Sequence, residues 1–382
     1  MNDVHHVSRF TSRSPNHRGI QREEEPREKH VPVGSMTPFS IAIFLLGLSS
    51  LATAASFTQV IEWNELDYEW PSEESRAQTM PAAIFKPTKI KPFYMAVYGQ
   101  RLFLSLFRDD STPVTLVSLP TSSANSESPK LTLFPSLEKH GFGNCDKIEE
   151  ATGLQIDSVG RLWVLDQGSY DCASKLWTID LANYDQTKLI HRFPFQNLIH
   201  ELVLDETPNG TFAYITQLAA QHVVVFSLQR NESWILDTPG KQLLSIALSP
   251  KEESRRLYVS NYHSSELYTH SVVAVRDGTR TANPELVGNW TAEPYRMLMD
   301  NHGTVYAAFW GKNYISSWNS SQPFHEQNFH EVAGLKNDWP FTFALDQNGN
   351  FWLMVFDGKR TPSRYRLLKA AVEATSFKAS PS

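Results

Sequence analysis

Residues 153–180 read GLQIDSVGRLWVLDQGSYDCASKLWTID, three apolar segments separated by two turns. Residues 153–157 form the first predicted strand, Ser158-Val-Gly160 the turn, 161–166 the second strand and 175–180 the third. A fourth follows at 188–194. Apolar runs bounded by Gly, Asp, Ser and Pro are strand and turn signals. The second strand has an aromatic residue, Trp163, at its centre. Outward from Trp163 the same arrangement recurs around Phe103, Tyr214, Tyr258, Tyr306 and Trp352, at intervals of 44 to 60 residues. A period near 50 in an all-strand chain marks a β-propeller, with one four-stranded sheet per repeat. Six repeats predict an all-β, six-bladed β-propeller.

The third blade is expected at 201–204, 211–216, 222–228 and 233–236, and the fifth at 295–299, 304–309, 314–318 and 328–332. The sixth offers only three good strands, 341–345, 350–356 and 364–367. Residues 57–63 (FTQVIEW) are the natural fourth, which closes the ring through the N-terminus and leaves no free edge. One propeller domain is thus expected over 56–382.

Residues 39–55 (FSIAIFLLGLSSLATAA) are uncharged, apolar and end in small residues. With Met36 just upstream and Ala52-Thr53-Ala54 as a cleavage site, 36–55 reads as a signal peptide. A membrane anchor is the alternative, although the run is barely long enough to span. Residues 1–35 are polar and of mixed charge, an extension or an upstream start. Four sequons, at Asn209, Asn231, Asn289 and Asn319, fit a secreted, extracellular glycoprotein. In that compartment the two cysteines, Cys145 and Cys172, should pair. Two free thiols are the alternative. Strand order puts both on one face, because loops from outer to next inner strand and from second to third strand share a face. The net charge of −6, without a basic stripe, gives no sign of nucleic-acid binding.

Several segments resemble the Yellow and major royal jelly protein family. They include Glu62-Trp63, Trp70-Pro71-Ser72, Arg101-Leu-Phe103, Cys145-Asp146, Gln155 to Gly168 (QIDSVGRLWVLDQG), Phe212-Ala-Tyr214, Ser317-Trp-Asn319 and Asn350-Phe-Trp352. The resemblance implies a secreted six-bladed propeller with a role in cuticle pigmentation, in dopachrome conversion or in binding biogenic amines. Such proteins usually carry four cysteines, and the later pair is absent here as a unit. In the amine binders the resemblance implies a small polar residue at the start of the sixth inner strand and an Asn at the end of its second. Phe341 and Phe356 stand there in this chain, which disfavours amine capture.

The loop face bearing the cysteines collects Arg108, Asp146, Asp166, His200, His222, His263, Trp310, Trp339, Phe341 and Phe356. Taken singly, each has a bland reading: Asp166 as a turn cap, the histidines as surface groups, Trp310 and Trp339 as packing between blades. Together they suggest a small aromatic ligand, with Trp310, Trp339, Phe341 and Phe356 as walls and Arg108 or Asp146 as the polar anchor. His200 and His263 are the candidate bases if the chain isomerises a dopachrome-type substrate. A calcium-dependent lactonase site would need Glu, Asn and Asp at several inner-strand starts; Glu150, Glu201 and Asn261 are available. No hydrolase or P-loop motif is present. The chain therefore reads as a monomeric binder rather than an enzyme, without cofactor or metal and, after signal cleavage, without membrane attachment.

Overall fold

The computed structural model describes residues 56–79, 86–109, 112–122, 128–196, 198–250, 254–331, 339–358 and 364–372. The segments read from sequence as a polar extension and a signal peptide, 1–35 and 36–55, lie outside these. The strands form six sheets arranged as a six-bladed β-propeller. The inner strands, in blade order, are Pro92–Tyr98, Ala151–Ile156, Ile199–Thr207, Leu243–Leu248, Pro294–Met299 and Trp339–Leu345. They surround the central channel.

The second blade matches its sequence closely: Arg161–Asp166 and Lys175–Asp180 fall where the alternation puts them, and the outer strand is Gln186–Arg192. Thr58–Trp63 pairs antiparallel with Arg364–Ala371 and completes the sixth blade. The first blade has an addition. Tyr68–Glu69 pairs parallel with its outer strand, Leu131–Leu133, and makes that sheet five-stranded.

The recurring aromatic residue has a physical partner. In four blades an Asp at the inner-strand end accepts from it: Trp163 Nε1 to Asp157 (2.8 Å), Tyr214 OH to Asp205 (2.8 Å), Tyr306 OH to Asp300 (2.9 Å) and Trp352 Nε1 to Asp346 (2.8 Å). In three of these, Asp157, Asp300 and Asp346, the other carboxylate oxygen caps the turn by accepting backbone N–H groups two and four residues on. The turn closes on a glycine with positive φ: Gly160 at 84°, Gly303 at 78° and Gly349 at 76°. One carboxylate thus holds a turn and an inter-blade ring together. The burial of these carboxylates is tolerable because every oxygen is hydrogen-bonded.

Cys145 and Cys172 form a disulfide with Cα atoms 5.1 Å apart. It ties the loop between blades 1 and 2 to the second-to-third loop of blade 2. The bridge spans 27 residues, a loop worth about 3 kcal/mol in the chain-entropy model. Reductant is expected to lower the midpoint of denaturant unfolding correspondingly. Alkylation of either thiol without reductant would contradict the bridge.

Candidate functional site

Three of the predicted wall residues meet at the channel mouth on the disulfide face. Trp339 and Phe341 open the inner strand of blade 6, and Trp310 follows the second strand of blade 5. Tyr295, at the inner-strand start of blade 5, joins them. Ring centroids lie 4.9 Å apart for Tyr295–Trp310, 5.1 Å for Tyr295–Trp339, 5.2 Å for Trp310–Trp339 and 5.3 Å for Trp339–Phe341. The tyrosine is fixed by its hydroxyl, which donates to the carbonyl of Pro340. Trp310 remains 48% exposed, so the cluster presents a ring to solvent. Phe356 opposes Trp339 in the ladder and stacks on Tyr365 at 4.9 Å.

The proposed polar anchors separate. Asp146 is 89% exposed and pairs with Arg192 of the outer strand at 2.7 Å, which puts it on the rim rather than in the channel. Arg108 lies over the Phe142 ring at 3.5 Å and interacts with Glu150. Burial pushes the Glu150 carboxyl up to about 7, with Arg108 opposing and Asp166 reinforcing the shift. His263 is an exposed loop residue whose backbone N–H donates to Glu293 at 2.7 Å. His200 bonds the Tyr94 hydroxyl through Nδ1 at 2.8 Å. Desolvation and Arg296 push its pKa down to about 3, which makes it a weak base at neutral pH.

Beneath the mouth a buried polar layer crosses the channel. Glu201 of blade 3 accepts from Ser245 Oγ and the Ile246 N–H of blade 4. Arg296 of blade 5 lies 3.4 Å from Glu201, donates to the Phe93 carbonyl at 2.9 Å and covers the Tyr94 ring of blade 1 at 3.4 Å. Burial raises the Glu201 carboxyl to about 7 against the pull of Arg296. The signal for this layer was a charged residue inside an apolar inner strand, Arg296 in PYRMLM and Glu201 in IHELVLDET.

Four strongly shifted groups dominate the expected pH profile for stability. His140 and His200 have folded pKa values lowered from 6.5 to about 4 and about 3, so each withdraws stability as pH falls below 6.5. Glu150 and Glu201 are raised from 4.5 to about 7, so each withdraws stability as pH rises from 4.5 to 7. Each slope is about 1.4 kcal/mol per pH unit at most. The opposing pairs offset between 4.5 and 6.5, and His191, His222 and His270, which burial also lowers from 6.5, add a rise with pH there, so thermal midpoints should climb to a maximum near 6.5 and decline from there to 7. Midpoints that keep rising from pH 6.5 to 8 would contradict these assignments.

The family profile described as Major royal jelly protein matches residues 150–242 and 237–357, more than half of the chain. The chain belongs to the major royal jelly protein family. The protein named "Protein yellow" from Drosophila subobscura is 23% identical over 372 residues, 84% of this chain and 65% of its own length. The Drosophila guanche counterpart is 23% identical over 341 residues, covering 76% of this chain and 60% of its own. This major royal jelly protein family member thus spans less than two thirds of those relatives. A solved structure described as a putative gluconolactonase superposes with a TM-score of 0.52 at 10% identity, covering 86% of this chain and 95% of its own. That likeness concerns the fold. Among the described residues no helix is long and apolar enough to cross a membrane.

Proposed function

We propose that this propeller is a secreted, glycosylated binder of a small neutral aromatic molecule, acting in a cuticle or pigmentation context. The carrying observation is the Tyr295–Trp310–Trp339–Phe341 cluster, half open to solvent at the channel mouth. Aromatic pairs contribute about 0.5–1.5 kcal/mol beyond area burial. Phe341 and Phe356 supply no hydrogen-bonding side chain for an ammonium group. Arg108, which follows the second strand of blade 1 on the disulfide face and lies over Phe142, is the polar anchor proposed for a catechol oxygen. The four sequon asparagines are exposed, and Asn209, Asn231 and Asn319 lie on the face away from the disulfide, where glycans would leave the mouth clear.

The pigmentation context is the one that the resemblance to the Yellow family implies, and the relatives named "Protein yellow" agree with that resemblance. The dopachrome-type isomerase remains the second reading because Glu150, with a carboxyl near 7 beside the mouth, is suited to accept a proton. The lactonase reading is weaker: the Glu201 carboxylate is already engaged by Arg296, Ser245 and a backbone N–H. Calorimetry with catechols, indoles and serotonin tests the proposal. Neutral ligands should bind more tightly than serotonin, and submicromolar serotonin binding would overturn the reading. Faster dopachrome decay that Glu150→Gln abolishes would replace it with the isomerase.

A further inference from the structure

Between the polar layer and the turns of the opposite face, the channel holds a cavity of about 130 Å³. Inner strands of all six blades wall it, with Ile156, Val203, Leu298, Phe343 and Leu345 among the apolar contributors. Arg296 stands at the end nearest the mouth. Its side chain is 4% exposed, and its Nη atoms are spent on Glu201 and on the Phe93 carbonyl. Its Nε–H has no acceptor. Leaving a buried donor unmade costs about 1–3 kcal/mol, more when the group is charged.

We propose that this cavity is a second binding site, separate from the mouth, which takes a small carboxylic acid with an apolar body, its carboxylate accepting the Arg296 Nε–H. A guanidinium matches a carboxylate in charge and in planar donor geometry. The strand side chains beyond it are apolar and suit a hydrocarbon or aryl body. Arg255, also lining the cavity, adds a guanidinium toward the opposite face, where it shares the single Asp205 carboxylate with Arg276. Of the two acids lining the cavity, Asp157 and Glu201, the first is held by Arg161, Trp163 and backbone N–H groups. Glu201 competes for Arg296, and its carboxyl near 7 allows it to take a proton and leave the guanidinium to the ligand. The groups facing Glu201 are Arg296 from blade 5, Tyr94 from blade 1 and Ser245 from blade 4, with His200 next to it on its own strand.

The test is calorimetry of the full chain with benzoate and hexanoate against benzamide and hexanol, followed by a 4-bromobenzoate soak of crystals. The acids should bind at least about tenfold more tightly than their neutral counterparts. Val203→Phe, which narrows the cavity and keeps the Arg296 guanidinium, should weaken the acids by a similar factor. The bromobenzoate should give its anomalous peak inside the cavity. Equal affinity for benzamide, no binding of either acid, full affinity in a folded Val203→Phe chain, or a bromine peak only beside Trp310 would each overturn the proposal. If Val203→Phe fails to fold, the soak of the unaltered protein decides. Failure here leaves the mouth reading standing, because that rests on Trp310 and its neighbours and is read with neutral aromatics.

Discussion

A chain lacking residues 57–63 is expected to yield no folded monomer. The segment supplies Thr58–Trp63, the outer strand of blade 6, paired with Arg364–Ala371 from Thr58 opposite Lys369 to Trp63 opposite Tyr365. Trp63 is 1% exposed and Ile61 4%, both within the core shared by blades 1 and 6. The Trp63 indole donates to the Pro129 carbonyl at 2.8 Å, and Glu62 pairs with Arg364 at 3.0 Å. Losing a buried Trp alone costs about 3–5 kcal/mol and a buried Ile about 2–5 kcal/mol. Together these approach the whole stability of an ordinary domain. Deletion would also bare the edge of Arg364–Ala371, which invites pairing with other chains. Size-exclusion chromatography and circular dichroism should show aggregate or nothing. A monomer with parental thermal midpoint would show that the closure is dispensable.

Lys175→Met is expected to destabilise the second blade severely. The Lys175 ammonium is fully buried, 2.6 Å from Glu149 and 3.3 Å from Asp166, both carboxylates also fully buried, and donates to the Lys147 carbonyl at 2.9 Å. Asp166 additionally accepts from the backbone N–H groups of Glu149, Glu150 and Gly168 and from Trp177 Nε1. Removing the cation leaves two carboxylates buried against each other. Breaking a buried charge network from one side costs about 3–5 kcal/mol. In a chain of this size that lowers the thermal midpoint by roughly 4–8 °C. Adding Glu149→Gln should recover part of the loss, since it removes one of the stranded charges. A midpoint within a degree or two of the parent would show that the network contributes little.

The periodic features were legible because they are local. Strand alternation and the recurring aromatic at Trp163, Tyr214, Tyr306 and Trp352 identify the blades, and the closing strand follows from the missing fourth strand of the last repeat. The Asp partners of those rings stood in plain view as the turn pattern Asp157-Ser-Val-Gly160, but which atom a carboxylate caps depends on blade-to-blade packing. The Tyr68–Glu69 strand is not legible in the sequence, because two residues carry no alternation. At the site, strand order was enough to gather Trp310, Trp339 and Phe341, since each sits at a fixed end of a strand. It could not say how far from the axis a loop residue lies, so Asp146 lies out on the rim with Arg192. Nor could it show that Arg296 and Glu201, 95 residues apart, meet.

Titration of Trp310→Ala with the tightest neutral catechol or indole tests the mouth most directly. Trp310 is the exposed ring of the cluster and donates its backbone N–H to the Glu293 carbonyl, so its side chain can be removed without disturbing the strand beneath. Affinity should fall by about tenfold, equivalent to about 1.4 kcal/mol of lost stacking and burial. An unchanged dissociation constant in the folded variant would contradict the assignment of the disulfide-face mouth as the aromatic site.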